Sequence, residues 1–433
     1  MKGLAKVSAA AIALAVGLAM AGCGTNNTNS GGSGSSDTPV KMTFWHNGTG
    51  DKAQAYWADV IKAFNDKYPN VTVTAEVVQN EELDGKLQTA MLANTAPDVF
   101  LQRGGGKLQD MINANQVKDI TSLIDPAVKT AMGGAFTTGT IGGKIYAMPM
   151  SVTPEGLWYS KDLFAQAGIT TLPTDMASLN EAVTKLRAIG VAPIAVGAAD
   201  AWPAAHWFYS FALRECSQST IENLATDKEW KDPCWLKALQ DVADLNATNP
   251  WQDGVLTTVG QKGAGSSAGL IANHKAGMEL MGAWQPGVIG DLTPDLKPLP
   301  DLGWFPFPAV PGGQGAPTAM MGGSDGYSCS AKAPQPACAD FLNFMGSKQW
   351  SEGYATAYTT IPANKDASSV VTDPSLIDAT KAYSQAAYVT LWIDTSLGQD
   401  TGNAVNQQVV NILAGQATPE SALAAIQAAL KAA

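Results

Sequence analysis

The chain has 433 residues, 45% of them hydrophobic, enough apolar material for two or more cores. Acidic residues outnumber basic ones 38 to 27, giving a formal net charge of −11, with only 3 His. With no cluster of Lys or Arg, this balance argues against nucleic acid as a partner and against electrostatic attachment to anionic lipid.

The N-terminus reads as a signal peptide over residues 1–22. Lys2 and Lys6 make a short positive region, Val7 to Met20 is apolar, and small residues follow at Ala21 and Gly22. The apolar run is too short for a comfortable membrane span. Met20-Ala21-Gly22-Cys23 resembles a bacterial lipobox, with Met where Leu is usual, and the resemblance implies lipidation of Cys23. The competing reading is an ordinary secretory signal with a chance Cys. Residues 23–39, rich in Gly, Ser, Thr and Asn, have the composition of a flexible tether. Removing residues 1–22 takes away two Lys, so the net charge becomes 25 − 38 = −13. A lipid, rather than charge, would then hold the domain at the membrane.

In chain order, Val40 to Trp45 reads as a strand, and Trp57, Val60, Ile61 and Phe64 form a helical stripe. Val71–Val78 is a second strand, Leu83, Leu87 and Met91 mark a second helix, and Asp98–Gln102 is a third strand. This β-α-β-α-β opening implies parallel pairing in an open sheet covered by helices. Ligands of such sheets sit beyond the carboxyl ends of the strands, here His46-Asn47-Gly48 and Gln102-Arg103-Gly104. Gly142 to Met150 is hairpin-like and leads through Leu157-Trp158-Tyr159 into a new helical region. A helix at Thr174–Ile189, a strand at Ala192–Gly197 and helices to about Ala247 form a second domain inserted into the first. Gly277–Met281, Gly303–Phe307 and Asp325–Ser328 are read as strands returning to the first domain, and Ser421–Ala433 as a final helix. The expected division is residues 40–150 plus 276–330 in one lobe, with hinges near 150 and 276. The other lobe takes 151–275 plus parts of 331–433.

After Cys23, four Cys remain. An even count in an exported chain favours disulfides, and the spacing favours Cys216–Cys234 and Cys329–Cys338 among three possible connectivities. No spacing suited to zinc accompanies them.

An ordered set of segments resembles the family 1 extracellular solute-binding proteins. It comprises Phe44-Trp45-His46-Asn47, Phe64 to Val71, Ala96 to Phe100, Tyr146 to Pro149, Trp158 to Phe164, Gly277 to Trp284, Gly322 to Tyr327 and Phe341 to Trp350. The resemblance implies an α/β fold of two lobes, open sheets flanked by helices, closing on a ligand by hinge bending. It implies an oligosaccharide ligand, permease subunits of an ABC importer as partners, an extracytoplasmic location, a monomer, and no cofactor, metal or catalysis. Peptide or polyamine receptors, or a secreted glycosidase, are the alternatives. The Ala/Gly-rich, Lys-poor composition points to a Gram-positive source.

Three enzyme-like motifs fail on their chemistry. Gly322-Gly323-Ser324-Asp325-Gly326 fits the serine nucleophile elbow, but all three His precede Ser324. Gly263 to Ala268 fits a dinucleotide fingerprint without the apolar strand before it. Gly104-Gly105-Gly106-Lys107 has Leu101 and Leu108 where a phosphate loop needs Gly and a hydroxyl.

A sugar needs flat aromatic platforms and fixed polar groups. Of 12 Trp, most read as core, Trp57, Trp207, Trp235 and Trp304 among them. Trp202, Trp284 and Trp392 stand in turn contexts, where the resemblance implies stacking on sugar rings. Asn47, Gln102, Arg103, Asp325 and Asp394 are the polar candidates. Trp45, His46 and Glu81 complete the set; Trp45 suits core and cleft equally, and Glu81 suits the first turn of its helix.

Overall fold

The computed structural model describes residues 38–227 and 229–432; the expected leader, lipidation site Cys23 and tether up to residue 37 lie outside the described residues. The opening is β1 (Val40–His46), α1 (Asp51–Lys67), β2 (Val71–Val77), α2 (Asn80–Leu92) and β3 (Val99–Gln102), followed by α3 (Gly105–Asn113). β1 pairs in parallel with both β2 and β3. Its Phe44 is buried against Trp57 on the apolar stripe of α1 and against Phe341, which also meets Phe64 of that stripe. That stripe is what orients α1 on the sheet.

The chain continues with β4 (Met148–Pro149), β5 (Glu155–Ser160), α4 (Met176–Ala188), β6 (Ala192–Ile194), α5 (Trp202–Glu215) and α6 (Pro233–Ala247). Then come β7 (Ala276–Gly282), α7 (Gln285–Leu292), β8 (Leu302–Phe305), β9 (Gly326–Cys329), α8 (Gln399–Leu413) and α9 (Pro419–Ala432). The first sheet has the order β2-β1-β3-β9-β4, with β9 antiparallel to both neighbours. The second has the order β8-β5-β7-β6, with β5 antiparallel to β7 and β8. Each sheet carries its own core, so the fold is two-lobed α/β.

One expectation is corrected. The strands at 277–281 and 303–307 are present, as β7 and β8, but both join the second sheet rather than returning to the first. Every residue of both strands is buried. A strand covered on both faces has no alternation, so its pattern carries no address to one sheet or the other. Only β9 returns, and the chain recrosses at Met321–Gly326 instead of near 276.

Three crossing segments run side by side. Met150 N donates to Asp325 O at 3.1 Å, Thr153 N to Gly323 O at 3.0 Å, and Ala363 N to Met150 O at 3.0 Å. Ile361-Pro362 pairs with Ser151-Val152. The disulfides are Cys216–Cys234, joining the end of α5 to the start of α6, and Cys329–Cys338, joining β9 to the helix Ala337–Gly346. Among the described residues no helix is long and apolar enough to cross a membrane.

Candidate functional site

The carboxyl ends of β1 and β3 lie on one edge of the first sheet. Antiparallel β9 enters at the same edge, because Gly326 pairs with Gln102. Three expected residues meet there. Arg103 Nη1 donates to Asp325 Oδ2 at 2.9 Å, and Nη2 to Asn80 Oδ1 at 2.7 Å. Asn47 Nδ2 donates to the same Asn80 oxygen at 3.2 Å. Asp84 lies 3.4 Å from Arg103 Nε and 2.7 Å from Lys107 Nζ. Burial pushes the Asp84 carboxyl up, but the two cations outweigh it and hold it at about 2. Burial raises the Asp325 carboxyl against the pull of Arg103. Two cations thus face two anions. Asn80, Asp84 and Lys107 were not foreseen; Asn80 and Asp84 share one face of α2 by their spacing of four.

Other expected residues are bound internally. Gln102 is buried, accepts from Gly104 N at 3.1 Å and reaches Met111 Sδ at 3.2 Å. It shapes the turn that precedes α3. His46 accepts from Gly48 N at 3.1 Å, and burial lowers its pKa to about 4, so it is neutral at pH 7. Trp45 belongs to the first core, with Lys86 Nζ 4.6 Å above its ring. Glu81 is exposed in the first turn of α2. Asp394 is buried and accepts from Thr395 N at 2.7 Å and Asn406 Nδ2 at 3.1 Å, which ties its short helix to α8.

Trp202, Trp284 and Trp392 lie close together. Trp202 opens α5, Trp284 follows β7, and Trp392 opens the turn Ile393–Ser396. Their ring centroids are 6.1 Å apart for Trp202 and Trp284 and 5.4 Å for Trp284 and Trp392. Ala201, just before Trp202, has φ +63°, a strained setting for a non-glycine residue and a common mark of a functional turn. Gly282 lets the Trp284 ring fold back over the end of β7, where a Cβ would overlap it. His206 lies among them, its ring 5.0 Å from Trp202 and stacked on Trp392 at 5.8 Å. Behind Trp392 sits buried Glu155, which accepts the Trp392 indole N–H.

The aromatic and polar groups adjoin at the recrossing. A Cβ on Gly323, two residues before Asp325, would stand 3.5 Å from the Trp392 ring. The start of α3, just after Arg103, packs on the Ile393–Ser396 stretch that follows Trp392. Gly104 and Gly105 take φ +81° and +56°. A Cβ on Gly105 would stand 2.8 Å from Thr395 O. The glycines that superficially suggested a phosphate loop therefore serve close backbone approach. Ser324, the elbow-like serine, donates its hydroxyl to the Ser151 carbonyl as part of the crossing bundle.

The model of the bacterial extracellular solute-binding proteins matches residues 47–352, more than half of the chain. A Pyrococcus horikoshii protein named as an uncharacterised ABC transporter extracellular-binding protein is 26% identical over 396 residues, covering 89% of this chain and 81% of its own. The diacetylchitobiose binding protein DasA of Streptomyces coelicolor is 24% identical over 331 residues, covering 73% of this chain and 72% of its own. A solved structure from work on xylan utilization by Caldanaerobius polysaccharolyticus superposes with a TM-score of 0.83 at 26% identity, covering 90% of this chain and 99% of that one. The family match, covering all of the second sheet and every strand of the first but β1, makes this chain a member of the bacterial extracellular solute-binding proteins.

Proposed function

We propose that the chain captures a neutral oligosaccharide between its two lobes and delivers it to the permease subunits of an ABC importer. The observation that carries this reading is the Trp202–Trp284–Trp392 wall beside a polar cluster of balanced charge. Indole faces suit the apolar C–H faces of sugar rings, and Asn47, Asn80, Asp325 and Arg103 suit hydroxyls. Because Arg103 and Lys107 are offset by Asp84 and Asp325, the cluster supplies no surplus charge for a polyamine or a uronic acid. The relative named for diacetylchitobiose binding supports a sugar ligand.

In this reading the lobes are built on the two sheets, and the three crossing segments are the hinge. Ligand that touches both lobes only when they are closed shifts the population to the closed form, which docks on the permeases. No covalent step is involved. The protein works as a monomer on the extracytoplasmic face of a Gram-positive cell, tethered through a lipid on Cys23. Calorimetry against a panel of neutral oligosaccharides tests it. Binding with intact sugar recovered is the expected result; cleaved sugar, or binding only of peptides or polyamines, overturns it.

A further inference from the structure

Glu155 is the first residue of β5, directly after the crossing segment, and is 3% exposed. A buried carboxylate is expensive unless it is fully bonded. Ser210 Oγ, on α5, donates to Oε1 at 3.1 Å. The Trp392 indole N–H donates to Oε2, and His206 Nδ1 lies 2.7 Å from the same oxygen. The His206 ring is stacked on Trp392 with an interplanar angle of 20° and also touches Trp202 and Trp284, with centroids at 5.0 and 6.4 Å. Across the sheet, Glu155 pairs with Gly282, over which the Trp284 ring folds. One carboxylate at the hinge end of β5 therefore reaches Trp392 directly, and Trp202 and Trp284 through His206.

We propose that Glu155 is a positioning residue for the aromatic wall: by accepting the Trp392 indole N–H it fixes the tilt of that platform towards the ligand. The proposal rests on the sugar-binding reading above. It differs from a purely structural role in one measurable way. If Glu155 acts through Trp392, its effect on affinity must depend on the indole N–H.

The test is a double-mutant cycle of Glu155→Gln and Trp392→Phe, with the tightest-binding sugar of the panel titrated by calorimetry. Near-UV circular dichroism of the unliganded proteins is recorded alongside. Loss of a charge-assisted acceptor predicts roughly tenfold weaker binding for Glu155→Gln, and no further loss when it is added to Trp392→Phe. The tryptophan bands of the circular dichroism spectrum should change in the first variant but not when Glu155→Gln is added to Trp392→Phe. Unchanged affinity with a lowered melting point would reduce Glu155 to a structural role. An equal loss in both backgrounds would show that it acts elsewhere, and would also overturn the proposal. Should Glu155→Gln fail to fold, Glu155→Asp keeps the charge but withdraws it by one methylene from the indole, and the same cycle is read with it. If the wild type binds no sugar, the sugar reading fails, while the near-UV signal still decides whether Glu155 fixes Trp392.

Discussion

Glu279 offers a test of the second lobe that needs no ligand. It lies on β7 between Met278 and Leu280, which fill the second core, so its own side chain points to the opposite face. Gln285 Nε2 donates to its Oε2; Oε1 has no partner among the described residues, and neither does Gln285 Oε1. Burial pushes its pKa from 4.5 to about 8, with Ser267 and Gln285 only partly opposing the shift. At pH 7 the folded chain keeps this carboxyl protonated, whereas the unfolded chain ionises it near 4.5. Between those values the native state holds one more proton than the unfolded state. Stability therefore falls as pH rises, by about 1.4 kcal/mol per unit and roughly 5 kcal/mol at most across the window. His46 works in the opposite direction. Burial lowers its pKa from 6.5 to about 4, so it adds stability as pH rises between them. The two slopes offset each other from pH 4.5 to 6.5, and the loss due to Glu279 emerges from there to about 8. Glu279→Gln isolates its share. The introduced amide is always neutral, can accept from Gln285 Nε2, and can donate to Gln285 Oε1. Urea unfolding of both proteins at several pH values should show the variant gaining on the wild type by about 1.4 kcal/mol per unit between pH 5 and 8. Parallel stability curves would show that Glu279 is ionised in the folded chain at neutral pH.

Further outcomes follow from the same geometry. Trp284→Ala removes the central platform and should weaken sugar binding at least about tenfold in calorimetry, with little change in melting point because the ring is only partly buried. Asp84→Asn leaves Arg103 and Lys107 facing Asp325 alone, and should destabilise the fold by roughly 1–3 kcal/mol at pH 7. In the wild type that contribution, from a carboxyl held at about 2, should persist above pH 4 and be lost as pH falls towards 2. Removing either disulfide, which close loops of 18 and 9 residues, should lower stability by about 3 kcal/mol each, read from urea unfolding of Cys-to-Ala pairs. Affinity for a neutral sugar should change less than about twofold between low and high salt, since such a ligand carries no charge for ions to screen.

The first lobe was largely legible in the sequence. Its first helix carries an apolar stripe, its strands are separated by crossovers of helical length, and the parallel crossover rule placed Asn47 and Arg103 at one sheet edge. Asp325 joined them because β9 enters at that edge. The second lobe was read less well, since β7 and β8 are buried throughout and carry no period. Gln102 and Asp394 are bonded within the chain, Gln102 to Gly104 N and Asp394 to Thr395 N and Asn406 Nδ2, and sequence alone carries no signal for such partners. Glu155 and His206 were missed, although a signal existed. Glu155 heads the otherwise apolar run Gly156-Leu157-Trp158-Tyr159, and His206 lies in α5, where all but the first residue is buried. A polar group in such surroundings needs a partner, and here the His206 Nδ1 lies 2.7 Å from the Glu155 carboxyl.

The central claim is tested most directly by titrating residues 39–433, with both disulfides formed, against neutral oligosaccharides in a calorimeter while following the sugar by chromatography. A one-to-one complex, a raised melting point and intact sugar are the expected result. A folded, monodisperse sample that binds none of them, or that releases cleaved sugar, would contradict it.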